Sequence, residues 1–277
     1  PSIIDESANL NDASHKIMTS KTFDNATSCS SENSIVVLES VYEELIKSLE
    51  EEGGSLLDIQ EKKILQQGMW SENGIINRDI IAKKSNEIAT LVGLKGKHLS
   101  SKFLMVEEQN VGLDFPFSME KLSPVLAVYK AKDFSHAVEI ATLILKNQGK
   151  GHSCGIHSQN EDNIERLGME LPVCRVIVNQ AHCFATGGNF DNGLPFSLSM
   201  GCGTWGNNVT DENLNYKHYL NITKIVKTIE PDEPSEKDIF SDYWEKYSLK
   251  SSTVTKLVDQ YASDTPEKNY LIDADLN

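Results

Sequence analysis

Short apolar runs and longer amphipathic segments alternate along most of the chain. The β-branched run SIVVL at 34–38 predicts a strand. The segment after it predicts a helix, with Ser40 and Glu43 as a capping box, Leu45 and Leu49 on its apolar face, and Gly53 as its stop. Strands that alternate with helices of this length predict an α/β fold, with a mainly parallel sheet covered by helices.

The same alternation continues to about residue 180. Further helices are predicted at 11–23, 56–68, 82–94, 133–149 and 160–170, and further strands at 102–108, 123–131, 152–158 and 174–180. From Phe184 the chain becomes rich in glycine and asparagine. Such a stretch buries little apolar surface, so we expect its glycines to permit close backbone approach or positive φ.

The C-terminal part has a different pattern. The β-branched segment 216–229 predicts a strand whose exposed edge pairs with another subunit, so we expect a homo-oligomer, a dimer or larger. Residues 230–277 predict an acidic linker, a surface helix near 239–249 and a partly disordered tail. The main domain is predicted to span 1–215, and 216–229 is the oligomerisation strand.

Charge and cysteine usage exclude several classes of protein. The 277 residues carry 26 Lys and Arg against 41 Asp and Glu, a net charge of -15, which disfavours binding to nucleic acid. No apolar run reaches the roughly 20 residues of a membrane helix. The five cysteines are dispersed, with no spacing typical of a metal site, so we expect no metal, reduced thiols and a cytoplasmic protein.

One cysteine lies in an unusual setting. Cys29 is in the small, polar stretch NATSCSSENS, at the junction between the first predicted helix and the strand at 34–38. Free cysteines are often buried small residues, and the local sequence by itself favours that role over catalysis.

Four motifs change that balance. SKTFDNATSCSSENSIVV, MEKLSPVLAVYKAKDFSHAVE, GKGHSCGIHS and LSMGCGTWGNNVTDENLNYKHYLN occur in the order found in aldehyde dehydrogenases of the coenzyme-A-acylating branch. The chain resembles that branch over residues 1–229, and within it the acylating sulfoacetaldehyde dehydrogenases. The resemblance implies an aldehyde-dehydrogenase-like catalytic domain, with the nicotinamide-binding domain expected upstream and absent from this sequence. We therefore expect this chain alone to bind NAD weakly and to turn over little.

The resemblance also implies the site residues. Cys29 matches the nucleophile that forms a thioester, and His152 matches a residue that deprotonates or orients the coenzyme A thiol. Glu120 matches the carboxylate that accepts hydrogen bonds from the nicotinamide ribose, and Leu122 the wall beneath the ring. Cys202, between two glycines, matches a residue of the cofactor channel.

Substrate and cofactor follow from the same resemblance. We expect NAD or NADP as cofactor and coenzyme A as co-substrate, with an aldehyde such as sulfoacetaldehyde. His182 is a candidate for recognising an anionic substrate, and so is Arg175, which could instead brace its strand. Two alternatives stay open: acetaldehyde or another short aldehyde as substrate, and a truncated chain that serves only as a scaffold or oligomerisation partner.

Overall fold

The computed structural model describes residues 1–71 and 73–247. Pro1–Leu220 form one compact unit, and a second begins at Asn221. No helix in the described ranges is long and apolar enough to cross a membrane.

A parallel sheet of seven strands organises the first unit. In the order of the sheet the strands are β3 (Gly54–Leu56), β4 (Phe103–Glu107), β5 (Val125–Ala131), β2 (Ser34–Leu38), β1 (Ser2–Ile4), β6 (Cys154–His157) and β7 (Val176–Val178). Every neighbouring pair is parallel. The predicted α/β class and parallel sheet are confirmed. The sequence analysis missed β1 and β3, because strands of three residues give too short a pattern.

Helices follow most strands and return the chain to the same edge of the sheet. They are α1 (Leu10–Thr22), α2 (Tyr42–Glu51), α3 (Ile59–Met69), α4 (Ser85–Val92), α5 (Phe134–Asn147), α6 (Glu161–Glu170) and the short α7 (His182–Ala185). Parallel strands need such crossovers, because each strand has to start again at the same edge. Besides the helix at 40–53, five helices were predicted in this unit. All five are present, as α1, α3, α4, α5 and α6.

Two hydrophobic cores lie on opposite faces of the sheet. In β2, Ile35 and Val37 belong to one core, and Val36 and Leu38 belong to the other, because successive side chains of a strand point to opposite faces. Helices α1 and α2 contribute to the first core, and α3 to α6 contribute to the second. All five residues of β2 are buried, as is typical of a parallel sheet covered on both sides.

The predicted start of α2 is wrong in detail. The helix begins at Tyr42 after a 3-10 turn at Glu39–Val41, and no side chain caps it. A capping box is present on α3 instead, where Asp58 and Glu61 bond each other's backbone N–H groups. The buried positions Leu45 and Leu49 of α2 are as predicted. Burial of this apolar face therefore fixes the helix without a capping side chain.

The predicted oligomerisation strand has no strand partner in the described part of the chain. Tyr216–Tyr219 form a 3-10 turn, and 220–229 contain no paired strand. Ile222, Ile225 and Val226 are each at least 70% exposed. Since a strand needs a neighbour to bond its backbone, pairing with a second copy stays a prediction. The helix predicted near 239–249 is confirmed as α8 (Glu236–Tyr247), and the predicted tail beyond it lies outside the described residues.

His157, the last residue of β6, makes the stability of the fold depend on pH. Its side chain is buried, its Nδ1 atom has no hydrogen-bond partner in the described structure, and burial lowers its pKa to about 4. Above pH 6.5 neither the folded nor the unfolded state protonates this imidazole. Below pH 6.5 the imidazole is protonated in the unfolded state, whereas in the folded state it stays neutral until about pH 4. The free energy of unfolding therefore falls as the pH is lowered across that interval.

We expect His157→Leu to remove this component. Between pH 6.5 and 4 the free energy of unfolding of the variant should fall less steeply than that of the wild type, by up to about 1.4 kcal/mol per pH unit. Urea unfolding at several pH values measures the slope, and data above pH 7 separate any loss of packing. Parallel pH curves for the two proteins would contradict the assignment.

Candidate active site

The predicted site residues meet at the amino edge of the sheet. Cys29 precedes β2, Glu120 precedes β5 and His152 precedes β6; β2 and β5 are parallel neighbours, and β1 lies between β2 and β6. The three residues line one open cleft of about 150 Å³, together with His182. The fold therefore brings together four residues that are up to 153 positions apart in the sequence (182 - 29).

A left-handed turn carries Cys29 out of α1 and into the cleft. Asp24, Asn25 and Ala26 have φ values of 48°, 52° and 61°. A left-handed conformation costs about 1 kcal/mol or more for a residue with a Cβ atom. Hydrogen bonds offset this cost: Thr27 Oγ1 donates to the Asp24 carbonyl at 2.9 Å, and Asn25 Nδ2 to the Ala82 carbonyl at 2.9 Å. Cys29 itself is exposed, so its sulfur is accessible to a substrate.

Three ionisable side chains near the site are fully buried. Lys21, Glu32 and Lys121 are each at most 1% exposed. Burial lowers the pKa of Lys21 to about 7, against the opposing attraction of Glu32 and Glu120, and burial raises the pKa of Glu32 to about 7. Charged side chains are buried at this depth only when an opposite charge or hydrogen bonds compensate them. Lys121 Nζ is compensated by two backbone carbonyl oxygens, at 2.7 and 2.9 Å.

The contact between His152 and Cys29 gives the cleft its chemistry. His152 Nε2 lies 3.3 Å from Cys29 Sγ, and His152 Nδ1 lies 2.6 Å from Ser153 Oγ. Burial, with a smaller effect of the nearby positive charge of Arg175, lowers the pKa of His152 to about 4. The imidazole is therefore neutral at pH 7. With its proton on Nδ1, bonded to Ser153, it presents a free lone pair on Nε2 to the thiol.

Arg175 braces the backbone around the site. The side chain is 6% exposed, and its donors bond Asn213 Oδ1 at 2.9 Å and the carbonyl oxygens of His152, Gly201 and Asp211 at 3.3, 2.9 and 3.1 Å. These bonds use four of the five N–H groups of the guanidinium. Arg175 thus ties the His152 backbone to the glycine-rich segment and does not line the cleft, and its contact with the substrate stays a prediction.

Cys202 does not line the cleft, and its predicted place in the cofactor channel stays a prediction. Its backbone N–H donates to Asn208 Oδ1 at 2.8 Å, and its carbonyl faces Gly151. A Cβ atom on Gly151 would overlap the Cys202 carbonyl oxygen and lie 2.8 Å from the Gly206 nitrogen. Gly151 also has φ +87°. Gly151 therefore permits the close approach between the backbone of the His152 segment and that of Cys202.

The remaining predicted residues have mixed positions. Glu120 is half-buried in the cleft, and its backbone N–H donates to Gln148 Oε1 at 2.7 Å. His182 is 4% exposed and faces the same cleft. Leu122 does not line the cleft; it has φ 46°, and its carbonyl accepts from the Ala82 N–H at 3.0 Å. Its contact with a nicotinamide ring stays a prediction.

Several residues of the site were not predicted. Gln148 and Ser153 line the cleft, and Lys21 and Glu32 are buried. Ser31, one of the small residues expected to leave room beside Cys29, lines the cleft as well. Ser153 could have been found, because it follows His152 directly in the motif GHSCG. The burial of Lys21 and Glu32 has no local sequence signal, since both belong to polar stretches. Among the described residues no cluster of three His, Cys, Asp or Glu side chains could hold a metal ion.

Comparison with known proteins agrees with this geometry. No family model matches the chain. Sulfoacetaldehyde dehydrogenase (acylating) of Cupriavidus necator is 53% identical over 244 residues, which are 88% of this chain and 49% of that protein. Succinate-semialdehyde dehydrogenase (acetylating) of Clostridium kluyveri is 35% identical, over 80% of this chain and 49% of its own length. The crystal structure of an acetylating aldehyde dehydrogenase from Geobacillus thermoglucosidasius superimposes with a TM-score of 0.78 at 36% identity, over 85% of this chain and 51% of that one.

The chain belongs to the acylating aldehyde dehydrogenase family. It spans about half the length of the curated relatives that it matches. The family resemblance predicted from the four motifs is confirmed, and the aldehyde-dehydrogenase-like fold with it. In this family member, the loop that carries Cys29 and the segment that carries His152 meet through the parallel register of β1, β2 and β6.

Gly151 offers a test of how the contact between His152 and Cys29 is held. In Gly151→Ala the new methyl group would overlap the Cys202 carbonyl oxygen, and the left-handed backbone would be strained. We expect His152 to move away from the thiol and the alkylation of Cys29 by iodoacetamide to slow, toward the rate of His152→Ala. Labelling followed by peptide mass spectrometry measures the rate.

Gly168→Ala is the matched control. Gly168 is exposed within α6, and a Cβ atom there would have open space. This variant should be alkylated at Cys29 as fast as the wild type. A wild-type rate in Gly151→Ala would show that the close backbone approach does not position His152.

Proposed function

We propose that this chain provides the nucleophile-bearing half of a coenzyme-A-acylating aldehyde dehydrogenase, with sulfoacetaldehyde as substrate. The observation that carries the proposal is the 3.3 Å contact between the neutral His152 and the exposed thiol of Cys29, in a cleft that also holds Glu120. The 53% identity to a protein named sulfoacetaldehyde dehydrogenase (acylating) supports the choice of substrate.

The first half of the reaction forms a thioester. His152 Nε2 takes the proton of Cys29, and the thiolate attacks the aldehyde carbon to give a thiohemiacetal. In this proposal the backbone N–H of Cys29 donates a hydrogen bond to the negative oxygen. Loss of hydride from that carbon, which the oxidised nicotinamide accepts when bound, leaves an acyl thioester on Cys29.

The second half transfers the acyl group. His152 first releases the proton of Cys29 to solvent. It then takes the proton of the coenzyme A thiol, whose sulfur attacks the thioester carbon, and Cys29 leaves as a thiolate that takes this second proton back from His152. The sum is aldehyde, coenzyme A and oxidised cofactor converted to acyl-coenzyme A, reduced cofactor and one proton. In this account the same imidazole acts on two thiols in succession, which requires that it be unprotonated at pH 7 at the start of each step.

The cofactor is NAD or NADP, with the Glu120 carboxylate accepting from the ribose hydroxyls and Leu122 beside the ring. The half-buried Glu120 fits that role, since its side chain lies in the cleft beside the nucleophile. The cleft of about 150 Å³ suits a small aldehyde and is well below the roughly 300–1,000 Å³ of drug-sized ligand sites. Most of the dinucleotide must therefore be held by residues outside this cleft.

The setting of the protein is part of the proposal. We place it in the cytoplasm as a homo-oligomer, with segment 216–229 pairing with a second copy. The exposed apolar side chains Ile222, Ile225 and Val226 support the pairing, because an uncovered apolar strand promotes association. Light scattering that finds a monodisperse monomer would count against it.

The main test is coenzyme-A-dependent NADH formation by the full-length gene product. Sulfoacetaldehyde should give a higher kcat/KM than acetaldehyde, and Cys29→Ser should abolish the activity. A preference for acetaldehyde would favour the alternative substrate class, which the 36% identity to an acetylating enzyme supports. NADH formation that does not require coenzyme A would contradict the acylating mechanism.

Acyl transfer alone can be tested on the 277-residue chain. Incubation with acetyl-coenzyme A should acylate Cys29 by reversal of the second half-reaction, which needs no nicotinamide. His152→Gln should slow the transfer about 10²- to 10⁴-fold, as expected for loss of a general base. Because the pKa of His152 is about 4, the imidazole is protonated only near that pH, so its contribution should persist down to about pH 5. Acylation of Cys29 no faster than that of the buried Cys154 would favour the scaffold alternative.

A further inference from the structure

We propose that Ser31 and His182 form an uncharged hydrogen-bonding subsite that binds the sulfonate group of the substrate. This inference rests on the proposed function and names how its substrate is recognised. Both residues line the cleft that holds Cys29. A two-carbon substrate attacked by the thiol would place its anionic end a few ångströms from the sulfur, within reach of the walls of so small a cleft.

The polar atoms of these two side chains are buried and unpaired. Ser31 and His182 are each 4% exposed, and Ser31 Oγ, His182 Nδ1 and His182 Nε2 have no hydrogen-bond partner within the described structure. The Ser30 backbone lies near His182 and slightly favours its protonated form, but no hydrogen bond of standard geometry joins them. Buried polar groups are nearly always bonded, so unpaired ones that face a cleft point to a ligand.

The subsite is uncharged. Burial holds the pKa of His182 well below its ordinary value, and the amino group of Pro1 and the imidazoles of His152 and His157 lower it further. Of the described residues that line the cleft, none is a lysine or an arginine; Pro1 carries the amino group of the chain, and Glu120 is acidic. Arg175, the nearest predicted cation, has its donors bonded to backbone carbonyls and to Asn213.

Uncharged donors suit a sulfonate. Its three oxygens share one negative charge and accept hydrogen bonds from O–H and N–H groups, and hydrogen bonds to a charged group are stronger than neutral ones. Acetaldehyde carries a hydrogen atom in place of the sulfonate and would leave both donors unpaired. A site built for hydrogen bonds discriminates strongly against an analogue that lacks the acceptor.

The experiment compares kcat/KM for sulfoacetaldehyde and acetaldehyde in the full-length gene product. Ser31→Ala and His182→Phe should each lower kcat/KM for sulfoacetaldehyde about 10- to 100-fold, mainly through KM, as expected for loss of a hydrogen bond to a charged group. The loss with acetaldehyde should be at least about tenfold smaller. His182→Gln, which keeps an N–H donor, should retain more of the preference than His182→Phe.

Ser14→Ala is the matched control. Ser14 is also fully buried with an unpaired Oγ, but it lies on α1 and does not line the cleft. This variant should keep the preference for sulfoacetaldehyde. Equal losses for both aldehydes in Ser31→Ala and His182→Phe would overturn the subsite, and so would an unchanged preference.

A binding measurement separates failure of the subsite from failure of the proposed function. Ethanesulfonate should protect Cys29 of the 277-residue chain from iodoacetamide, and the neutral isostere ethyl methyl sulfone should protect it much less. Protection that is lost in Ser31→Ala and His182→Phe supports the subsite, even if the full-length protein oxidises no aldehyde. Equal protection of wild type and variants by ethanesulfonate would overturn the subsite while leaving the enzyme class intact.

Discussion

Parallel pairing of the strands is the constraint on which the site depends. Because β1, β2, β5 and β6 all begin at one edge, the loops that precede them are forced into contact, whatever their separation in sequence. A shift of register between β1 and either neighbour would move the cysteine and the histidine segments apart. The chemistry of Cys29 and His152 is thus a property of the whole sheet, and the side chains alone do not specify it.

The support behind the site consists of buried polar groups. Lys21 and Glu32 are buried on either side of Cys29 in the sequence, and Arg175 bonds the carbonyls of His152, Gly201 and Asp211 and the side chain of Asn213. A network such as that of Arg175 is costly when a member is missing, so it restricts these segments to one arrangement. Rigid placement of an exposed thiol against a neutral imidazole is what the proposed acyl transfer needs.

The sequence predicted the parts of the fold that have a regular pattern. The longer helices and the parallel sheet were found, and so were four residues of the cleft, because periodicity and the order of motifs can be read without knowledge of the tertiary structure. The start of α2 at Tyr42, the bonding partners of Arg175 and Cys202, and the burial of Lys21 and Glu32 were not. Each of these depends on which backbone lies opposite the residue: Arg175 finds free carbonyls, and Cys202 faces a glycine. Such neighbours are decided by packing between distant segments.

The location of the cleft has an electrostatic consequence. Helices that follow parallel strands run back toward the amino edge, so α5 ends beside the cleft with its carbonyl end, which carries partial negative charge. Many α/β proteins bind anions at the opposite edge, where helix amino termini attract them. Helix α5 opposes a thiolate, a sulfonate or a phosphate at the cleft. An anionic ligand must therefore gain its binding energy from individually placed donors, which makes selectivity at this edge sensitive to single substitutions.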